Sequence, residues 1–364
     1  MKLLIAGGGT GGHLFPGIAV AEEFLARDKR NEVLFVGTWK GIEARVLPKT
    51  GYRLECITAA GIRGKGSLAR AKGLAKFLYG YAQSRKILKE FSPDLVLGVG
   101  GYASAPALMA ARGMQIPRFI HEQNAIPGFT NRMLAKVADK IFISLEESRT
   151  YFPEDKTLLT GNPLRRQILQ QVALAERRER GDDAFHLLVF GGSAGAHRIN
   201  LTMGEALSFL KEMKERLRIT HQTGENDLED VTAAYEEQGF AADVVAFIDS
   251  MADAYRWADL IVCRAGATTI AEVTACGKPC IFIPYPHAVD DHQRRNAESL
   301  LKRGAGFVII EQELSGKVLA QAIRDLMDDQ ARLKAVGEAA QGLARLDAAQ
   351  AIVDEMVART RKEE

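Results

Sequence analysis

Lys2-Leu-Leu-Ile-Ala-Gly-Gly-Gly-Thr-Gly-Gly-His13 opens the chain, and His186-Leu-Leu-Val-Phe-Gly-Gly-Ser-Ala-Gly-Ala-His197 repeats its plan half a chain later. Each is a short apolar run, then glycines, then a helical pattern. Glycine lets a backbone approach a ligand closely, and the helix that follows turns free N–H groups and its positive dipole end toward an anion. Two copies predict two nucleotide-fold halves with a site in the cleft between them. Outward from the copies, apolar β-rich runs alternate with helical patterns. Strands are expected at Lys2–Ala6, Glu32–Val36, Leu95–Val99, Arg118–His121 and Lys140–Ser144, then at His186–Phe190, Arg218–Gln222, Val244–Phe247, Leu260–Cys263, Cys280–Ile283 and Gly306–Ile309. Helices are expected at Ile18–Ala26, Ala69–Lys89, Asn131–Val137, Thr268–Cys276 and Ala348–Thr360. Continuous apolar strands between helices predict an α/β fold of parallel sheets covered on both faces.

A chain of 364 residues has room for two such domains. Gly161-Asn-Pro163 reads as the crossing between them, giving domains over 1–162 and 163–346. Residues 1–160 hold 23 Lys and Arg against 14 Asp and Glu, whereas the remainder holds 25 against 32. The basic half is therefore the one expected to face something anionic. A net charge of +2 speaks against a nucleic-acid binder. Cys56, Cys263, Cys276 and Cys280 form no C-x-x-C pair and read as small buried hydrophobes. The brief apolar start dissolves into glycines and does not read as a signal peptide, which points to the cytoplasm.

Neither glycine turn ends in the Gly-Lys-Ser/Thr of a P-loop. The second strand ends Phe35-Val-Gly-Thr38, with no carboxylate for an adenine ribose, so a dinucleotide enzyme is disfavoured. Cys263-Arg-Ala-Gly-Ala-Thr-Thr-Ile-Ala-Glu272 is more telling. A strand ends, Gly266 turns the chain, and Ala267, Thr268 and Thr269 open a helix whose N–H groups and hydroxyls suit a diphosphate. Glu272, one turn in, is placed to accept from both hydroxyls of a ribose, and its removal is expected to leave unfolding unaffected. Gln293, in the polar run after Pro286, offers a donor and an acceptor to a sugar.

The chain closely resembles the bacterial MurG family, the N-acetylglucosaminyltransferases that convert lipid I to lipid II. The shared motifs are Gly7-Gly-Gly-Thr-Gly-Gly-His13, Gly98-Val-Gly-Gly-Tyr102, His121-Glu-Gln-Asn124, Gly161-Asn-Pro-Leu-Arg165, Gly191-Gly-Ser-Ala-Gly195, Phe247-Ile-Asp249, Cys263–Glu272 and Asp291-His-Gln293. The resemblance implies a GT-B fold of two Rossmann-like domains. The C-terminal domain would bind UDP-N-acetylglucosamine, and the N-terminal domain would take the membrane-bound acceptor, undecaprenyl-pyrophosphoryl-MurNAc-pentapeptide. The helix over about 347–364 would pack back on the first domain. Thr10, Gly11 and Gly12 would lie near the transferred sugar and the acceptor pyrophosphate, with Asn124 and Arg165 as donor contacts. Ser193 would lie beside the diphosphate, Ile248 would meet uracil through its backbone, and Tyr102 falls on the acceptor side. The sequence departs from the family at Ala194 and His197, where Gln and Arg are usual.

A β-1,4 product from an α-linked donor implies inversion, hence one in-line displacement. His13 is the first candidate for the base that takes the acceptor's proton, and Glu122 the second. No Asp-x-Asp pair is present, and Asp182-Asp183 and Asp290-Asp291 read as surface polar pairs. Neither a metal nor a cofactor is expected. Arg63, Lys65, Lys72, Lys76 and Lys86, interleaved with Leu74, Phe77, Leu78, Tyr81 and Leu88, form a basic amphipathic stretch suited to an anionic membrane surface. The protein is thus expected to be peripheral on the cytoplasmic face of the plasma membrane, within reach of cell-wall or division proteins. The alternatives are a UDP-N-acetylglucosamine 2-epimerase or another GT-B transferase, or a non-catalytic nucleotide-sugar-binding membrane scaffold.

Overall fold

Leu3 and Ile5 project to one side of their strand and Leu4 and Ala6 to the other, and all four are buried. That is why the opening run carries no polar alternation: helices cover the sheet on both faces. The computed structural model describes residues 1–59, 67–174, 184–192 and 195–360, without the side chains of 67–71 and 174. The described chain divides into two units, residues 1–166 with 345–364, and residues 167–344.

In the first unit, β1 (Lys2–Gly7), α1 (Gly11–Arg27), β2 (Glu32–Gly37), the short α2 (Glu43–Val46), β3 (Arg53–Cys56) and α3 (Ser67–Phe91) are followed by β4 (Leu95–Gly100), α4 (Ser104–Gly113), β5 (Arg118–Glu122), α5 (Phe129–Leu134), β6 (Lys140–Ile143) and β7 (Thr157–Leu159). The sheet is parallel in the order β3-β2-β1-β4-β5-β6-β7. In the second unit, α6 (Arg166–Leu174) leads to β8 (Phe185–Phe190), α7 (His197–Leu207), β9 (Leu217–Gln222), α8 (Leu228–Gln238), β10 (Ala242–Val245), α9 (Met251–Trp257) and β11 (Leu260–Cys263). Then come α10 (Ala267–Ala275), β12 (Cys280–Phe282), α11 (His292–Leu301), β13 (Phe307–Val308), α12 (Gly316–Asp328) and α13 (Gln330–Gly342). Its parallel sheet runs β10-β9-β8-β11-β12-β13. The last helix, α14 (Ala348–Thr360), belongs to the first unit, where Ile352, Val353 and Met356 pack with Leu3, Ile5 and Phe24.

Several elements differ from the expectations. α1 begins at Gly11 rather than Ile18, in spite of Gly12 and Pro16, because Leu14 and Ile18 are buried against the sheet. The edge strands β3 and β7 were not expected: both are short and only partly buried, so neither offers a continuous apolar run. β10 ends at Val245, leaving Phe247 in a loop, half exposed. Of the cysteines, Cys263 and Cys280 are fully buried, while Cys56 and Cys276 are only partly so. Among the described residues, no helix is long and apolar enough to cross a membrane.

Candidate functional site

Each sheet reverses its strand order beside its first strand, between β1 and β4 and between β8 and β11. In open parallel sheets ligands bind at such switch points, beyond the carboxyl ends of the strands. Both glycine turns, and the turn before α10, fall there.

In the first unit the turns after β1 and β4 meet backbone to backbone. A Cβ on Gly7 would come within 2.5 Å of the Gly100 carbonyl, and one on Gly101 within 2.4 Å of the Gly8 carbonyl. The buried Ser104 hydroxyl braces this seam, 2.7 Å from the Ala6 carbonyl and 2.8 Å from that of Gly100. Gly98-Val-Gly-Gly-Tyr102 is therefore the second half of the first glycine turn. His13, on the first turn of α1, lies against Gly100, where a Cβ would fall 2.7 Å from its Nδ1. That nitrogen is 3.1 Å from Gln123 Oε1. Gln123 Nε2 donates to the Val99 carbonyl at 2.9 Å and lies 3.0 Å from Nδ1 of the buried His121. Tyr102, beyond the seam, is 60% exposed.

Glu122 is buried, and its carboxylate accepts from Asn124 N–H at 3.0 Å, Asn124 Nδ2 at 3.2 Å, Gly128 N–H at 3.1 Å and Asn131 Nδ2 at 2.8 Å. Its lone pairs hold the loop from β5 to α5, with Asn124 as part of that loop. Arg165 lays its guanidinium over the Phe15 ring, 4.6 Å from the centroid.

Glu43 is a residue that sequence reasoning missed. Its buried carboxylate accepts from Gly9 N–H at 2.7 Å, Thr38 N–H at 2.8 Å and Thr38 Oγ1 at 3.0 Å. A Cβ on Gly8, Gly37 or Gly41 would strike this side chain at 2.4, 2.5 or 2.1 Å. Three glycines thus open the space for one carboxylate, which pins the glycine turn from beneath and occupies one of its N–H groups.

In the second unit Gly266 caps α10, and the N–H of Ile270 bonds back to the Gly266 carbonyl at 2.9 Å. Ala267, Thr268 and Thr269 form the first turn, whose N–H groups point out of the positive end of the helix. Glu272, one turn in, is 4% exposed and accepts from the buried Tyr255 hydroxyl at 2.9 Å. Burial, with Glu272 beside it, pushes the Tyr255 hydroxyl well above its ordinary range. Gln293 accepts from Tyr285 N–H at 3.0 Å. Arg264 donates to the Ile283 and Pro284 carbonyls and pairs with Glu311 at 2.5 Å, bracing the ends of β11 and β12. Gln222 ties the second glycine turn to the loop of Ile248: Nε2 donates to the Gly192 carbonyl at 2.7 Å and Oε1 accepts from Ile248 N–H at 2.9 Å. His197, where the family usually has Arg, pairs instead with Asp227 at 2.9 Å. Asp227 also accepts from Asn200 Nδ2 at 2.7 Å.

The first unit thus gathers Thr10, Gly11, Gly12 and His13 with Gln123, and the second sets Ala267, Thr268, Thr269 and Glu272 on one helix start. Ser193, Ala194, Arg63 and Lys65 lie outside the described residues, as do Asp182 and Asp183. Lys72, Lys76 and Lys86 are exposed on α3, and Leu74 and Leu78 are more than half exposed among them. Leu88 and Tyr81, read from sequence as part of that face, pack into the core under α3.

Two parallel-sheet units, each with a glycine turn at its switch point, define a glycosyltransferase of the GT-B class. The chain belongs to glycosyltransferase family 28, whose N-terminal domain matches residues 3–143 and whose C-terminal domain matches residues 186–352, and within it to the MurG family. It is 96% identical, over the full length of both chains, to the UDP-N-acetylglucosamine-N-acetylmuramyl-(pentapeptide) pyrophosphoryl-undecaprenol N-acetylglucosamine transferase of Geobacter sulfurreducens. The transferase of the same name from Geobacter metallireducens is 87% identical, again over the full length of both. The crystal structure of Acinetobacter baumannii MurG matches with a TM-score of 0.79 at 33% identity, covering 98% of each chain. UDP-GlcNAc 2-epimerase from Neisseria meningitidis, at 14% identity and a TM-score of 0.69 over the whole of both chains, shares the fold alone.

Proposed function

We propose that this chain transfers N-acetylglucosamine from UDP-N-acetylglucosamine to the 4-hydroxyl of the MurNAc residue of lipid I, with inversion at C1. The observation that carries this reading is the helix start Gly266–Thr269 with Glu272 behind it, in a chain whose full-length relatives carry that activity in their names. Ala267, Thr268 and Thr269 suit the diphosphate, Glu272 the ribose, and Gln293 the sugar. With the Ile248 N–H held by Gln222, the carbonyl of Ile248 is the group left for the base. Preorganised donors at a leaving diphosphate are worth roughly 3–4 kcal/mol each.

The first unit supplies the proton acceptor. Glu122 spends its oxygens on four donors from Asn124, Gly128 and Asn131, which favours His13 as the base. Incubation with labelled UDP-N-acetylglucosamine and a lipid I analogue tests the reading. Disaccharide-lipid and free UDP are the expected products. UDP-N-acetylmannosamine formed without acceptor would mark an epimerase, and binding without turnover would mark a scaffold.

The exposed Lys72, Lys76 and Lys86 with Leu74 and Leu78 favour an anionic bilayer as the surface that α3 meets, since each basic residue near such a surface adds about 1 kcal/mol. Lys72→Glu, Lys76→Glu and Lys86→Glu together are expected to abolish flotation with phosphatidylglycerol vesicles while leaving UDP-sugar binding intact. Equal flotation by the triple variant removes this face from membrane attachment.

A further inference from the structure

Along the line from Gly161 to His13, each proton is fixed by a neighbour that only donates or only accepts. A carbonyl only accepts, so Val99 O, 2.9 Å away, turns the Gln123 amide with Nε2 toward β4 and leaves Oε1 for α1. The second Nε2 hydrogen points between His121 Nδ1 at 3.0 Å and the His121 carbonyl at 3.3 Å, and since an amide nitrogen only donates, Nδ1 is an acceptor. His121 then carries its proton on Nε2, 3.2 Å from the Gly161 carbonyl and 3.2 Å from Ser144 Oγ. Burial agrees with this neutral ring, lowering His121 to about 4. At the other end Gln123 Oε1 has only lone pairs, and His13 Nδ1 lies 3.1 Å from it. The neutral His13 ring that a base requires therefore holds its proton on Nδ1 and keeps the lone pair on Nε2.

We propose that Gln123 is a positioning residue: it holds His13 as the Nδ1–H tautomer and so makes Nε2 the atom that receives the acceptor's proton. This rests on the reading of His13 as the base. In the step it serves, the acceptor's O4 bonds to C1 of the sugar as the bond from C1 to the β-phosphate oxygen breaks. That electron pair leaves with UDP, and the O4 proton passes to His13 Nε2. A ring held in the other tautomer would present a proton to O4 instead of a lone pair.

The test is the side-chain 15N spectrum of the full-length protein labelled at histidine, with His13 assigned by comparison with His13→Asn, alongside kinetics of Gln123→Met. Wild-type His13 is expected to show a protonated Nδ1 and an unprotonated Nε2. In Gln123→Met the ring is expected to shift toward Nε2–H, with kcat down about 10- to 100-fold and KM for UDP-N-acetylglucosamine within about twofold. A wild-type ring protonated on Nε2 overturns the proposal and needs no variant to fold. So does Gln123→Met with unchanged kcat and an unchanged ring. His13→Ala separates the two readings: normal turnover there sinks the base assignment, whereas lost turnover with a wild-type Nε2–H ring sinks the role of Gln123 alone.

Discussion

Glu272 accepts a hydrogen bond from the buried Tyr255 hydroxyl, and that bond separates the outcomes of replacing it. Glu272→Ala strands the hydroxyl at a cost of about 1–3 kcal/mol, so the expectation that unfolding is untouched does not survive Tyr255. Glu272→Gln keeps an acceptor for Tyr255 but removes the charge. It is expected to unfold within about 1 kcal/mol of wild type and to raise KM for UDP-N-acetylglucosamine roughly 10-fold, the worth of a hydrogen bond to a charged group. Urea unfolding and steady-state kinetics on both variants decide this. An unchanged donor KM in Glu272→Gln would leave the residue as a buttress for Tyr255. Glu272 was legible in sequence because a strand end, a glycine and two hydroxyl residues announce the start of its helix. Tyr255 was not, since it lies on a different helix.

Glu43 acts on an element rather than on one contact. Its carboxylate joins the end of β2 to the turn before α1 through Thr38 and Gly9. Glu43→Gln turns an amide N–H₂ toward backbone N–H groups and leaves at least one of them without an acceptor. The expected loss is about 2 kcal/mol, and about 4 kcal/mol for Glu43→Ala, which unpairs both N–H groups and empties the site. Denaturant midpoints measure it, and a Glu43→Ala loss under about 1 kcal/mol would show that the turn stands without its pin. Nothing in the sequence marks Glu43, because Gly8, Gly37 and Gly41 converge on it only in three dimensions. The strands buried on both faces were legible for the opposite reason: their signal is local. The start of α1 was not, because Gly11, Gly12 and Pro16 argue against a helix that packing of Leu14 and Ile18 enforces. The second glycine motif, Gly98–Tyr102, could be matched by resemblance alone; its physical reason is the seam with Gly7 and Gly8.

At the scale of the whole molecule, each unit buries one neutral imidazole. Burial lowers His121 from 6.5 to about 4 and His221 from 6.5 to about 3, the latter in spite of the nearby Asp227. Asn200 Nδ2 donates to the Thr223 carbonyl and to Asp227. Its Oδ1 therefore accepts from His221 Nε2 at 3.1 Å, while Nδ1 takes the Tyr235 hydroxyl at 3.0 Å. The unfolded chain binds a proton at each histidine below pH 6.5 and the folded chain does not. Stability is full above that pH and is lost as it falls, by up to about 1.4 kcal/mol per pH unit for each histidine. Between pH 6.5 and 4.5 unperturbed carboxylates are still largely ionised, so these two rings should dominate the slope. Urea midpoints are expected to fall steadily across that window. His221→Gln, which can accept from Tyr235 through Oε1 and donate to Asn200 through Nε2, should flatten the decline for the second unit alone. If the units unfold in separate transitions, only the one carrying residues 167–344 should lose its pH dependence. A midpoint constant from pH 6.5 to 4.5, or an unaltered slope in His221→Gln, would mean that these rings are not held neutral by the fold.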